Sequence, residues 1–423
     1  MNLRVLLLIC LLIPMGVLAQ KKEKPRLLIY GSNEYSSTAA FQAAQSNVPT
    51  VLVYDKPIDT RFSLSELAKN SKEDLKPESH LKDPDSLGAL EFGALVVNEF
   101  NNKINPFLTE IDNKTVKKLV KTKKGWEVTL SDNQKFNVIS IIDATENSDL
   151  TSLSKLNFDV QEKDDFTLPK DMSLAMSRTT VASIAHDSIR RVIFLEDLLK
   201  AQKDNLFNLG IGRKYLALKP AENSLEDDLS AEEEENDDIG DLPFAKALGA
   251  TAGYLAFFKS DAGKIDIRKL QSELITFDSN IIPYQDVSSD DNHFKAIVKC
   301  YLTGFFLGKE HEGKYIFDKA ANVKFDEIKP VFNDIYTRSQ LWFLDNYRND
   351  DLTWKDLISL IRFVSFKGEE VETQIAKGWS TKLKFEGEYN PENKITREQF
   401  AVVTDLYSSA FAKAINLDGS FVK

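Results

Sequence analysis

The stretch from Arg26 to Asp55 constrains the fold of this chain more than any other. Arg26-Leu27-Leu28-Ile29-Tyr30 is an apolar run closed by Gly31. Ser37 to Ser46 is rich in small, helix-compatible residues. Val51-Leu52-Val53-Tyr54 is a second apolar run, ending at Asp55 and Pro57. Strand, glycine turn, small-residue helix, strand and acid make a βαβ unit with parallel strands and a right-handed crossover.

The rest of the chain is read around that unit. Trp126-Glu127-Val128-Thr129-Leu130 alternates with period two before the turn Ser131 to Gln134, so Thr115 to Val138 predicts a meander of short strands. Val138 to Ile142 predicts a buried strand that joins those near Leu28 and Val51 in one parallel sheet. Helices are expected at Leu87–Phe100, Ile189–Lys200 and Leu242–Lys259, and a strand at Leu206–Ile211. From about Ile282 the pattern is helices and short loops. The α/β part is placed at residues 25–275 and the helical part at 276–423. With 42% hydrophobic and 10% aromatic residues, the chain can bury sizeable cores.

Several functional classes fall away. Met1 to Ala19 has a short positive start, an apolar run and small residues before Gln20, the pattern of a signal peptide. The expectation is an exported protein, periplasmic or extracellular, with no membrane span after cleavage. Cys300 would then be its single cysteine. The net charge is −11, and the run from Glu222 to Asp241 holds eleven acids and no base. That run reads as a solvated loop. No basic stripe with interleaved aromatics points to nucleic acid. His80, His186, His293 and His311 are scattered without metal-ligand spacing, so no metal is expected. There is no G-x-S-x-G, Walker A or H-E-x-x-H element, and no catalytic residue is assigned.

The turn after the first strand is Gly31-Ser32-Asn33-Glu34-Tyr35-Ser36. Dinucleotide folds use glycines here so that bare N–H groups at a helix N-terminus can meet a pyrophosphate. Against a G-x-G-x-x-G pattern, Gly31 is kept, while Asn33 and Ser36 stand where the second and third glycines belong. Asp55 ends the second strand, where an acid would bond a ribose hydroxyl.

Further segments carry a family resemblance. Ile141-Ile142-Asp143-Ala144-Thr145-Glu146-Asn147-Ser148-Asp149 resembles the I-D-A-T-G-D-G-D segment of FAD-dependent oxidoreductases, with Glu146 and Ser148 in place of glycines. Asn205-Leu206-Phe207 with Gly210 resembles their N-L-L-V-A-G strand. Leu242 to Gly253 resembles their final M-P-T-C-M-A-L-G-Q-A-A-G helix, keeping Gly249 and Gly253. Pro283 to Phe317, Leu352-Thr353-Trp354-Lys355-Asp356 and Ile395-Thr396-Arg397-Glu398-Gln399-Phe400 resemble S-layer-homology helical modules. In surface-layer proteins, such Thr-Arg elements contribute to binding cell-wall polysaccharide. Together these segments resemble exported bacterial FAD-dependent oxidoreductases of the xanthan-lyase-associated type.

The resemblance implies an FAD/NAD(P)-binding Rossmann-like α/β domain with a β-meander insertion, followed by an α-helical C-terminal region. It implies FAD contacts from Gly31, Ser32, Asn33, Ser36, Asp55, Asp143, Thr145, Glu146, Asp149, Gly249 and Gly253. It also implies a long substrate domain before the N-L-L-V-A-G strand, yet only residues 147 to 204 (204 − 146 = 58) lie between Glu146 and Asn205. Glu34 and Glu146 add carboxylates toward a doubly negative ligand, with no arginine evident in the sequence to offset them. The expectation is a pseudoenzyme that has lost FAD and serves as a binding or scaffold module in the cell envelope. Its partner would be an envelope protein or a cell-wall polysaccharide. The alternatives are a working FAD-dependent oxidoreductase with a divergent site, and carbohydrate binding through the C-terminal modules.

Overall fold

Leu27–Tyr30 forms β1, and α1 (Glu34–Gln45) crosses from it to β2 (Thr50–Val53). The computed structural model describes residues 24–57, 106–160, 172–186, 189–216, 242–312 and 314–422. The expected signal peptide, the Leu87–Phe100 helix, His80 and the acidic run 222–241 lie outside the described residues. β3 (Leu108–Ile111) pairs with β2, and the chain then makes a three-stranded meander of β4 (Val116–Thr122), β5 (Gly125–Leu130) and β6 (Lys135–Val138). It re-enters the main sheet as β7 (Ser140–Asp143).

Short helices α2 (Asp149–Ser154) and α3 (Leu174–Ser177) lead to a hairpin of β8 (Thr180–His186) and β9 (Ile189–Phe194). Then follow α4 (Leu195–Lys200), β10 (Gln202–Lys203), β11 (Leu206–Asn208), α5 (Leu209–Tyr215) and the long α6 (Leu242–Phe258).

The main sheet has the order β10-β11-β7-β1-β2-β3. All its pairs are parallel except the β10–β11 edge. Leu28 of β1 lies between Val51 of β2 and Ile141 of β7, so the three strands anticipated from sequence are neighbours. The chain builds outward from β1 to β2 and β3, then returns to the other side with β7 and β11. This is a Rossmann-like order, and its switch point lies between β1 and β7. Side-chain alternation along β1 feeds two layers. Leu27 and Ile29 join a core with Ala39, Ala40, Leu248 and Ala252 from α1 and α6. Leu28 and Tyr30 face Trp126, Val128 and Phe136 of the meander.

Three expected boundaries are corrected. Residues 189–200 are not one helix, because Ile189–Phe194 pairs antiparallel with β8 and only Leu195–Lys200 is helical. The β-branched Ile189, Val192 and Ile193 suit the hairpin, and pairing overrides a pattern that also fits a helix. The strand expected at Leu206–Ile211 stops at Asn208, whose Oδ1 accepts from Ile211 N at 2.8 Å and starts α5. By the same device α1 begins at Glu34, three residues before the expected Ser37, because Asn33 caps it.

The C-terminal region holds α7 (Ile267–Thr276), α8 (Phe294–Thr303), the hairpin β12 (Lys309–His311) and β13 (Lys314–Ile316), α9 (Phe325–Ile335), α10 (Ser339–Asn346), α11 (Trp354–Ser365), α12 (Glu370–Gly378) and α13 (Arg397–Tyr407). The hairpin is an addition to the expected helices and loops. Three helix starts are joined in a closed ring. Val323 N donates to Ile395 O at 3.0 Å, Ile395 N to Leu352 O at 2.9 Å, and Leu352 N to Val323 O at 2.7 Å. Each of these fully buried residues directly precedes a helix N-cap, namely Lys324, Thr353 or Thr396. The Leu352 and Ile395 elements were legible, but the Val323-Lys324-Phe325-Asp326-Glu327 copy was not, because Lys324 lacks the cap oxygen. Glu327 Oε2 still returns to Lys324 N at 2.9 Å. A single apolar cluster runs from Leu27 through this region to Ile415.

Two predictions follow from this packing. A Cβ at Gly249 would lie 2.3 Å from Ala39 O, whereas one at Gly253 would sit 3.5 Å from Ala43 Cβ. Gly249→Ala should therefore destabilise the protein by about 1–3 kcal/mol through overpacking. Gly253→Ala should be neutral or stabilise by up to ~1 kcal/mol through helix propensity. Urea unfolding midpoints of the two variants check the contrast. Lys324→Thr should complete the third capping box and stabilise by about 0.5–1 kcal/mol in the same assay.

Candidate functional site

The carboxyl ends of β1 and β7 form the crevice where an open α/β sheet holds its ligand. Gly31 follows β1 with φ +145°, and a Cβ there would lie 2.7 Å from Ala144 O in the turn after β7. The two chain segments are in direct contact, so this glycine serves an approach of backbone to backbone. Asn33 bridges the same gap, its Nδ2 donating to Ala144 O at 2.7 Å.

Asn33 also closes the helix end. Its Oδ1 accepts from Ser36 N at 2.9 Å, and Ser36 Oγ accepts from Asn33 N at 3.2 Å. This reciprocal capping box occupies donors that a pyrophosphate would need. Ser36 Oγ also lies 3.0 Å from Gly31 O and 2.6 Å from Asn33 O, so the turn is bonded to itself throughout.

The remaining predicted polar residues gather here too. Ser32 Oγ lies 2.7 Å from Asp55 Oδ1 and 2.9 Å from Lys56 O, and accepts from Lys56 N at 3.1 Å. Asp55 thus has an internal hydroxyl partner. Glu146 pairs with Lys56 Nζ at 2.7 Å, an exposed bridge that holds the lysine ammonium above its usual range. Asp143 is fully buried and accepts from Thr145 N (3.3 Å) and Oγ1 (2.7 Å) and from Thr151 N (2.8 Å) and Oγ1 (2.9 Å). Burial pushes its carboxyl up, against those hydrogen bonds. Thr145 Oγ1 accepts from Asp149 N at 2.9 Å and so starts α2. Burial also raises the Tyr30 hydroxyl to about 12, helped by the charges of Asp55, Asp149 and Asp143.

Gly249 and Gly253 stand apart from this cluster. Both lie in α6 against Ala39 and Ala43 of α1, where they let two helices approach. Two cations that the sequence did not flag bear on the crevice. Lys56 neutralises Glu146. Arg213 of α5 is buried with its guanidinium 4.4 Å from the ring of Tyr35, in the first turn of α1. Glu146 is offset by a lysine, where the sequence reading had looked for an arginine. No local pattern announces either contact, since Lys56 and Glu146 are 90 residues apart.

In the C-terminal region, Arg397 faces inward. It is 3% exposed, donates to Phe317 O and to Glu327 Oε1 at 2.7 Å each, and lies over the Phe306 ring. A polysaccharide would find no exposed guanidinium at this Thr-Arg element. Among the described residues, Asp291, His293 and Glu398 place potential ligand atoms within 4.8 Å of one another. Both His293 nitrogens are already engaged, Nδ1 with Glu398 Oε1 at 3.0 Å and Nε2 with Leu383 O at 2.8 Å, and Asp291 pairs with Lys319. Glu398 raises the His293 pKa, and the cluster is an internal clamp between α8, α13 and the segment after α12. Among the described residues, no helix is long and apolar enough to cross a membrane.

No protein-family model matches this chain, and no characterised protein matches it in sequence. Among solved structures it is similar to the thioredoxin reductase of Lactococcus lactis, with 17% identity, 29% of this chain and 35% of that one covered, and a TM-score of 0.19. It is similar to the THI4 protein of Thermovibrio ammonificans, with 11% identity, coverage of 51% and 88%, and a TM-score of 0.26. It is similar to the bacillithiol disulfide reductase Bdr of Staphylococcus aureus, with 14% identity, coverage of 34% and 43%, and a TM-score of 0.19. The match spans about a third of the length of the thioredoxin reductase. The fold assignment rests on the strand order and the βαβ unit.

The Asp143 carboxyl carries a pH prediction. Its folded-state pKa lies above the unfolded one, so the folded protein holds this proton more readily. The stability contributed by this carboxyl therefore falls as pH rises from about 4 through the raised folded value. Asp143→Asn should flatten that part of the profile, as read from urea unfolding at stepped pH.

Proposed function

We propose that this protein is a pseudoenzyme, a dinucleotide-type scaffold whose cofactor crevice has become an internal contact and which serves as a binding or scaffold module. The observation that carries the reading is Asn33, whose side chain caps α1 and bonds to Ala144 O across the switch point. FAD does not fit the residues present. Its pyrophosphate would have to displace a capping box, and its adenosine ribose would have to compete with Ser32 for Asp55. Lost neutral hydrogen bonds of this kind cost about 1 kcal/mol each, and an unmatched buried donor or acceptor costs more. Asp143, the buried acid of the Asp-Ala-Thr segment, spends its oxygens on Thr145 and Thr151. It thereby fixes the turn into α2.

The N-terminal apolar run of the sequence supports a place outside the cytoplasm, and an envelope protein is the kind of partner that such a module would hold. The polysaccharide alternative loses support from the inward-facing Arg397.

The test is to mix the purified full chain with excess FAD and follow flavin absorbance through gel filtration. The expected result is elution free of flavin, for the parent and for Asn33→Ala, which should lose about 1 kcal/mol of stability with its cap. Sub-micromolar FAD retained by the parent chain would restore the oxidoreductase reading.

A further inference from the structure

A second concave site lies far along the chain from the crevice. Helices α9, α11 and α13, the three that start in the backbone ring, end together at a surface cleft of about 560 Å³. That volume falls in the usual range for small-molecule sites. Tyr336, Arg338, Phe366, Lys367, Ser409 and Lys413 line it.

Its charge is one-sided. Among the described residues, none of Arg338, Lys367 and Lys413 has a carboxylate partner. Each lies on an aromatic ring instead. The Arg338 guanidinium is 4.4 Å from the Phe363 ring and 4.0 Å from Phe366, Lys367 Nζ is 5.2 Å from Tyr407, and Lys413 Nζ is 5.3 Å from Tyr336. Rings hold a cation in place without cancelling its charge or using its N–H donors. Of the acids on neighbouring turns, Asp334 pairs with Arg178 at 3.2 Å, Glu369 with Arg362 at 3.8 Å and Asp405 with Lys299 at 2.9 Å, while Glu370 accepts from Gly368 N at 2.9 Å and feels the charge of Lys367 without forming an ion pair with it. Arg268 Nε donates to Lys413 O at 3.1 Å and fixes that backbone beside the cleft.

A plainer reading is that three cations complement three helix C-termini. Each such end carries roughly half a negative charge, so three cations exceed the need by about one and a half. That reading also leaves Phe366 unexplained. This residue is 81% exposed and sits at the end of α11 in the left-handed region, φ 56° and ψ 29°. Glycine is the residue that helix ends normally place there, and a bulky side chain in that conformation is an outlier. Ser409, across the cleft, is also left-handed at φ 57°. An exposed aromatic in that conformation beside three cations without carboxylate partners is the observation that points to a ligand here.

We propose that this cleft binds a phosphate ester carried on a planar ring, the ester on Arg338, Lys367 and Lys413 and the ring against Phe366. The site is independent of the β1–β7 crevice and does not rest on its reading.

The test is calorimetric titration of the full chain with AMP, ribose 5-phosphate, inorganic phosphate and adenosine. AMP should bind about tenfold more tightly than inorganic phosphate or adenosine, because only AMP engages both the cations and the ring. Ribose 5-phosphate separates the contribution of a non-aromatic ring and should fall between. Lys413→Gln and Arg338→Gln should each weaken AMP about fivefold or more, and added salt should weaken it in the parent. Phe366→Gly should leave the Tm unchanged or raise it while weakening AMP about fivefold, which separates lost contact from lost folding. Asn33→Ala should leave AMP affinity unchanged, which separates this site from the crevice. Absence of AMP binding, affinity indifferent to the Lys413 and Arg338 variants, or a lower Tm in Phe366→Gly would each overturn the proposal.

Discussion

The α/β half of this molecule is organised by the contact between the turn after β1 and the turn after β7. Gly31 has no room for a side chain against Ala144, and Asn33 bonds to the same carbonyl. Two parallel strands that part at a topological switch point normally leave a gap there, and ligands use it. Here the gap is spanned by protein. Asn33 bonds to Ala144 O and caps α1 at Ser36 N, and Ser32, Asp55 and Lys56 settle around it as a hydrogen-bonded rim.

The electrostatics follow from that closure. A helix N-terminus is a site for anions because its first N–H groups lack partners and its dipole is positive there. The capping box removes part of the first cause. The second persists, but the neighbouring carboxylates of Asp55, Asp143 and Asp149 already act on this end of the sheet, as their effect on the Tyr30 hydroxyl shows. Lys56 pairs with Glu146 and its charge also acts on Asp55. The crevice therefore keeps an excess of carboxylates over cations, which opposes a pyrophosphate.

What could be read in the sequence follows from the range of each interaction. The βαβ unit was legible because its signals are local: two apolar runs, a glycine and a stretch of alanines. The meander was legible by period two, and the elements at Thr353 and Thr396 through their likeness to S-layer-homology modules, where the structure has capping boxes. Ile189–Phe194 was misread because its apolar positions fit either period, and only pairing with Thr180–His186 decides between them. The glycines at 249 and 253 entered the sequence reading as cofactor contacts of the resembling helix, and their packing against α1 is set by the tertiary fold. Lys56 with Glu146, and Arg213 on Tyr35, join positions far apart in the chain and carry no local signature.

The two ends of the three ring-linked helices show how the same elements yield opposite surfaces. At their starts, Thr353 and Thr396 accept from Asp356 N and Gln399 N, while Glu327 and Asp356 return to the backbone of Lys324 and Thr353. Arg397 is drawn inward to Phe317 O and Glu327, because a buried ring of backbone bonds leaves carbonyls and carboxylates that need donors. Arg348 pairs with Asp356 Oδ2 at 2.6 Å, so both arginines at that end are held by carboxylates. At the opposite end the helices finish in carbonyls, which favour cations, and the chain supplies Arg338, Lys367 and Lys413 on aromatic supports. A cation held by a ring keeps its donors, whereas one held by a carboxylate spends them. The Thr-Arg end is the one that resembles S-layer modules, but the cations without carboxylate partners lie at the other.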